Sequence, residues 1–315
     1  MVGPRAAKVD ELPLVENLSN EVFRIYDGDG QTMFQEFPDL FCKENIDNVR
    51  VIVEDGKPVS NINYLIRTVS IYGCKINVAS LGAVATLQDY RGRGYASMLL
   101  DDCVNRMINQ DAHILLISGD RNLYRNIGST PAGLMYKYVI TDSSKSNING
   151  ADSNSLCNNS DFCVRPNSYN ESSFSFMKKS ENRECSRRND KQYRIRELDI
   201  EQCSNEDLYK LANLYRQENV RFVRHYDKFY ELLASRKFLR KKTAQKKVII
   251  IESKTGFEAY FYMVIEGNQG IIYDCAGSRE LIINACAGLI DKYELKNIHG
   301  RLMTYHKSAI NYCIE

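Results

Sequence analysis

The sequence predicts an α/β protein of mixed sheets, arranged as two successive copies of one fold. Three observations carry this. Residues 49–87 alternate and turn like an antiparallel meander, and residues 95–140 switch to helical spacing interleaved with short apolar strands. Residues 192–315 then begin a similar order again. Between the halves, residues 143–191 are dominated by Ser, Asn, Asp and Lys and lose hydrophobic periodicity. Such a tract cannot bury enough apolar surface to offset its ordering entropy, so it reads as a flexible linker or surface insertion. The expected domains are therefore 1–142 and 192–315, joined by 143–191.

The elements follow in order. Leu12, Val15, Leu18, Val22 and Phe23 recur at helical spacing and make an amphipathic first helix, with a second short helix over 33–41. Residues 49–53, the turn 54–57, the stretch 59–71, the turn 72–75 and residues 76–87 form the meander. From Tyr95 onward, Met98, Leu99, Cys103 and Met107 trace a helix face, followed by a short buried strand at 113–117. A helix over 121–127 is closed by Gly128, and residues 135–140 are the last β region before the polar tract. In the second half, strands are expected at 194–198, 248–251, 258–265, 270–275 and 298–303, with helices at 206–217, 226–235 and 280–293.

Composition narrows the class. With 315 residues, 43% hydrophobic and 10% aromatic, the chain suffices for two ordinary cores. A formal charge of +2 gives no global reason to expect nucleic acid or an acidic membrane surface as partner. The ten cysteines are scattered without a CxxC pair, which reads as free thiols in a reducing cytoplasm. Neither a signal peptide nor the ~20 apolar residues of a membrane span is visible.

Residues 81–96 run strand, short turn, glycine-rich loop and helix start. Successive backbone N–H groups at a helix N-terminus, with glycines that let the backbone approach, make an anion site. Arg91 and Arg93 add charge. In this order the sequence resembles the GCN5-related N-acetyltransferase (GNAT) superfamily, whose Arg/Gln-x-x-Gly-x-Gly/Ala signature is matched by Arg91, Gly94 and Ala96. The resemblance implies that this loop, with Gly92, Arg93, Tyr95 and Ser97, binds the pyrophosphate of acetyl-CoA. It further implies that the main chain of Val84, Ala85 and Thr86 hydrogen-bonds the pantetheine arm. Family members also carry a Tyr-x-x-x-Gly-Phe pattern, and here Tyr124 and Gly128 match while Ser129 replaces the Phe. Tyr124 thus looks like the general acid for the leaving thiolate. The other reading of Tyr124 is an aromatic that packs a helix onto the sheet.

The tandem layout resembles the Eis group within the superfamily, which implies tandem GNAT folds, the second degenerate. Residues 276–281 lack the loop signature, so the second half is expected not to bind CoA and to act as a scaffold for the substrate cleft. Eis proteins continue into a sterol-carrier-like third domain that brings the terminal carboxylate to the active site. This chain stops at Glu315 without it.

The expected activity is that of an acyl-CoA N-acyltransferase, with acetyl-CoA as cosubstrate and direct attack by a primary amine. Glu36 and Asp39 are base candidates by position, or else solvated surface carboxylates. The four histidines show no metal-ligand spacing, and His113 reads as structural. No Gly-x-Ser-x-Gly elbow or Cys-His pairing supports an acyl-enzyme. The basic run 236–247 is either a dock for an acidic partner or a solvated helix end. A small-molecule amine is favoured over a protein acceptor, with no nucleic acid or membrane partner and a homo-oligomer left open. Two alternatives remain: a non-catalytic acyl-CoA-binding module, and a tRNA-dependent aminoacyl transferase of related tandem fold.

Overall fold

The computed structural model describes residues 1–24, 32–133, 135–141, 163–166, 193–235, 244–303 and 305–309. The chain divides into two compact units, Met1–Pro131 with Asn219–Lys242, and Ala132–Glu218 with Thr243–Glu315.

The first unit opens with β1 (Val2–Ala6), α1 (Leu12–Phe23) and α2 (Met33–Glu36). It continues with β2 (Val49–Glu54), β3 (Lys57–Ile71), β4 (Cys74–Thr86), α3 (Tyr95–Asn109), β5 (Ile114–Leu116) and α4 (Asn122–Arg125). Its sheet runs β1-β2-β3-β4-β5. The β2–β3 connection uses Asp55 and Gly56 at φ 50° and 76°, the doubly positive turn that matches strand twist. Apolar side chains cover both faces of the sheet. Ile52, Ile62, Tyr64, Ala79 and Leu81 meet Leu99, Leu100 and Cys103 of α3, while Val49, Val51 and Ala83 meet Val15, Met33, Leu40 and Phe41. Each fully buried Ile or Leu contributes about 1.5–3 kcal/mol relative to exposure. Arg50 of β2 donates to Asp102 of α3 at 2.6 Å, which adds a polar tie across the same layer.

Several expected bounds shift for local reasons. The helix expected over 33–41 ends at Glu36, because Phe37 precedes Pro38 and leaves the helical region at φ −127°, ψ 62°. The helix expected over 121–127 is α-helical only over Asn122–Arg125 and tightens into i→i−3 bonds from Ile127 and Gly128. β1 was not anticipated, since five residues containing Pro4 carry no alternation to read.

The second unit holds β6 (Met135–Thr141), β7 (Cys163–Pro166), β8 (Arg194–Asp199) and α5 (Asn205–Arg216). The chain then contributes β9 (Val220–Phe222) and α6 (Phe229–Ser235) to the first unit. It finishes in the second with β10 (Gln245–Ser253), β11 (Gly256–Glu266), β12 (Gln269–Gly277), α7 (Arg279–Lys292) and β13 (Asn297–Met303). This sheet runs β7-β6-β13-β12-β11-β10-β8. The order β10-β11-β12-β13, antiparallel until a final parallel pair, repeats β2-β3-β4-β5. Its core gathers Ile249, Phe261, Met263, Ile282, Ile283, Cys286 and Leu289.

Two strands cross the expected boundaries. The sequence places β6 at the end of the first half, yet the strand pairs with β13 over its whole length, and Tyr138 and Ile140 join the second core. In the other direction, β9 adds to β3 through Val69, Ser70 and Ile71. The tract 143–191 lies outside the described residues apart from β7, which pairs with β6.

Candidate active site

The site begins with a strand that loses its neighbour. β4 runs antiparallel to β3, but parallel to β5 only where Val78, Ala79 and Ser80 face Ile114, Leu115 and Leu116. Past Ser80 no described strand covers that second edge. An uncovered edge presents backbone N–H and C=O groups that need partners, so residues 81–86 offer a ladder to an extended ligand. Val84, Ala85 and Thr86 all lie on it.

The same strand leads into the loop. After a 3-10 turn over Gln88–Tyr90, Arg91 is extended, and Gly92 and Gly94 take φ values of 77° and 79°. Gly94 is the N-cap of α3 and no side chain caps the helix. The amides of Tyr95, Ala96 and Ser97 therefore leave the first turn without intrahelical acceptors, at the positive end of a 15-residue helix. A Cβ built on Gly92 or Gly94 would meet nothing within 4 Å, so it is the left-handed backbone that calls for glycine there.

The two arginines differ. Arg91 donates from Nε to the Thr86 carbonyl at 3.2 Å, and no carboxylate pairs with it among the described residues. Arg93 is bound on the protein side, at 3.2 Å from Glu54, 3.1 Å from the Asp89 carbonyl and 4.8 Å from the Tyr90 ring. The Tyr95 hydroxyl also donates to Glu54, and that carboxylate pushes the phenol up. Glu54 thus fastens the loop to the end of β2 and takes up one of the two expected charges. A glutamate before a turn carries no signal of its own in the sequence, so only the structure reveals this role.

Tyr124 sits on the four-residue α4, is 7% exposed, and packs in the cluster that contains Tyr95, Leu99 and Leu81. Gly119 makes room for it: a Cβ there would lie 3.1 Å from the Tyr124 ring. Burial raises the phenol above its ordinary value, against a smaller opposing effect of Arg121. The base candidates are both engaged, and neither is a solvated surface carboxylate. Glu36 pairs with Arg24, with burial raising its carboxyl, and Asp39 pairs with Arg67. His113 accepts from the Asn77 amide at 3.2 Å and fixes the entry to β5, although it is exposed where a buried position was expected. Burial pushes the Cys103 thiol up to about 12, and those of Cys203 and Cys275 to about 11, far from a thiolate nucleophile at neutral pH. Glu315 and residues 236–243 of the basic run lie outside the described residues.

The corresponding place in the second unit is furnished differently. β12 passes directly into α7, whose N-cap Ser278 accepts from the Leu281 amide. Glu218 lies beside the helix head: its carboxylate accepts from the Gly277 amide at 2.9 Å and from both terminal nitrogens of Arg279 at 2.9 Å. Both side chains are largely buried, 11% and 14% exposed. His306, whose imidazole burial holds down to about 4, also lies in this region and accepts at Nδ1 from the Met303 amide. A carboxylate of the chain itself thus stands beside the start of α7, where the first unit has a glycine-rich loop and the Arg91 guanidinium.

Residues 4–132 match the family model described as an acetyltransferase (GNAT) domain. No curated protein matches the chain in sequence. In structure the chain is similar to a GCN5-related N-acetyltransferase from Anabaena variabilis ATCC 29413, with TM-score 0.62 and 15% identity over 95% of this chain and 65% of that one. It is also similar to Eis1 from Mycobacterium abscessus, with TM-score 0.55 and 12% identity over 94% of this chain and 64% of that one. A third likeness is to Saccharomyces cerevisiae N-myristoyltransferase with bound myristoyl-CoA, with TM-score 0.51 and 13% identity over 96% and 73%. The chain thus spans less than two thirds of the length of the first two. With the family model lying over the uncovered β4 edge and the uncapped head of α3, residues 4–132 belong to the GNAT acetyltransferase family, in a chain whose second sheet repeats the strand order of the first.

Proposed function

We propose that the chain is an acyl-CoA N-acyltransferase that moves acetyl from acetyl-CoA to a primary amine of a small molecule by direct attack. The observation that carries this reading is the junction of the uncovered β4 edge with the uncapped α3 head. Amides of residues 92–97 and the Arg91 guanidinium would hold the pyrophosphate, and residues 84–86 would bond the pantetheine amides. The neutral amine attacks the thioester carbonyl, a strand N–H stabilises the oxyanion, and Tyr124 protonates the departing thiolate. The second unit contributes no CoA site, consistent with the Glu218 carboxylate beside the head of α7, which would repel a phosphate. The reaction is placed in the cytoplasm. Free thiols at Cys42, Cys74, Cys103, Cys203, Cys275 and Cys286 support that, and no described helix is long and apolar enough to cross a membrane.

The test is thermal stabilisation by acetyl-CoA and, because a similar fold was solved with myristoyl-CoA, by the longer thioester as well. Acetyl-CoA is expected to raise the Tm of the wild type and to leave an Arg91→Ala, Gly94→Glu variant unmoved. Thiol release should then appear with at least one amine among spermidine, kanamycin and a lysine peptide. Equal melting with and without either thioester would sink the reading, and binding without turnover would favour a non-catalytic acyl-CoA-binding module.

A further inference from the structure

β3 and β4 are out of step at one point. Asn61 faces Ala85 and Asn63 faces Gly82, so Ala83 and Val84 lie opposite the single residue Ile62. This is a β-bulge, and Ala83 within it takes φ 47°, a left-handed backbone on a residue with a Cβ. Two side chains hold it there. The Asn61 amide nitrogen donates to the Ala83 carbonyl at 2.8 Å, and the Asn63 amide nitrogen approaches the same oxygen at 3.4 Å. Both asparagines are fully buried, two residues apart on one face of β3. A carbonyl only accepts, so each amide must turn its NH2 toward Ala83, which leaves both Oδ1 atoms buried without a hydrogen-bond partner among the described residues. Buried unsatisfied oxygens cost stability that a pair of apolar residues would avoid.

The consequence lies on the other side of the peptide. In a trans peptide the C=O and the following N–H point in opposite directions. Drawing the Ala83 carbonyl toward β3 therefore aims the Val84 N–H away from β3, toward the edge that β5 leaves uncovered. We propose that Asn61 and Asn63 are positioning residues for acyl transfer, clamping the Ala83 carbonyl so that the Val84 N–H faces the thioester oxygen. The inference rests on the acyl-transfer reading above and adds the two side chains that make one strand amide an oxyanion donor.

The test compares wild type with Asn61→Leu, Asn63→Leu and the double variant, using acetyl-CoA and whichever of spermidine, kanamycin and the lysine peptide the wild type acetylates. The loop and the α3 head are untouched, so acetyl-CoA should bind within about twofold of wild type while kcat falls roughly 10- to 100-fold, a part of what loss of an oxyanion donor costs. Asn61, with the shorter bond, should show the larger effect. Asn61→Ser, too short to reach Ala83, supplies the same split should the leucine variants fail to fold. Unchanged kcat in the double variant overturns the proposal, and so does a fall in acetyl-CoA affinity in step with kcat, the mark of a general loss of structure. A wild type that neither binds acetyl-CoA nor acetylates any of the three amines overturns the acyl-transfer reading first, and this inference with it.

Discussion

Tyr124 combines two properties that are separable by one atom. Its ring fills the space over Gly119 and within the α3 cluster, and burial raises its hydroxyl above the ordinary phenol value. Tyr124→Phe keeps the ring, so the unfolding free energy should change by no more than about 0.5–1.5 kcal/mol, the net worth of one hydrogen-bonding group at most. Turnover should fall on the order of 10²-fold or more if the hydroxyl is the acid, with the acetyl-CoA thermal shift retained. Because the shift is upward from 10, the acid stays protonated throughout the neutral range, and no falling limb below pH 10 should belong to Tyr124. A Phe variant with wild-type kcat would leave Tyr124 as a packing residue. Arg91, Gly94 and Tyr124 were legible in the sequence because glycine spacing and an aromatic before a glycine are local patterns. Glu54, Asn61 and Asn63 were not. A polar residue at every second position of a strand ordinarily marks a solvent face, and here both faces of β3 are buried.

Two helices begin at corresponding ends of the two sheets, and their first turns are finished differently. α3 starts from a left-handed glycine with no cap, whereas α7 starts from Ser278 with the Glu218 carboxylate and Arg279 packed against its head. The first turn of α3 offers its amides to a ligand, whereas at α7 Ser278 takes up the Leu281 amide and Glu218 holds the Gly277 amide just before the cap. Removing the carboxylate strands a largely buried guanidinium, so Glu218→Ala should cost about 3–5 kcal/mol in urea unfolding followed by circular dichroism. The Arg91→Ala change, at an exposed cation without a carboxylate partner among the described residues, should stay within about 0.5 kcal/mol of wild type. Near-equal midpoints for Glu218→Ala and wild type would show that the pair does not hold the start of α7 in place. Most elements themselves were readable: α1, α3, α5 and α7 lie within a residue or two of their expected bounds, since each carries a full apolar stripe. β1 and β9, of five and three residues, were too short to show any period.

Across the whole chain, the two compact units are each completed by a strand from beyond the expected boundary. β6 leaves the first half of the sequence to pair with β13, and β9 leaves the second half to pair with β3. A cut between residues 190 and 191 therefore divides the sequence at its most polar tract without yielding two finished folds. Expressed alone, residues 1–190 should expose Tyr138 and Ile140, which are 3% and 5% exposed in the intact chain, and aggregate on size exclusion. Co-expression with residues 191–315 should return a soluble complex that acetyl-CoA stabilises, and a monodisperse, stabilised 1–190 fragment on its own would contradict this. The sequence by itself determined the loop, the helices, the meander and the repetition of strand order, because these follow from local periodicity and from residues whose backbone preferences act at a distance of a few positions. Only the tertiary structure decided which sheet receives β6 and β9, which carboxylate pairs with Arg93 and which pairs with Arg279 at the start of α7. It also decided that two asparagines turn one peptide of β4. Those outcomes depend on pairings tens of residues apart, and no local preference encodes them.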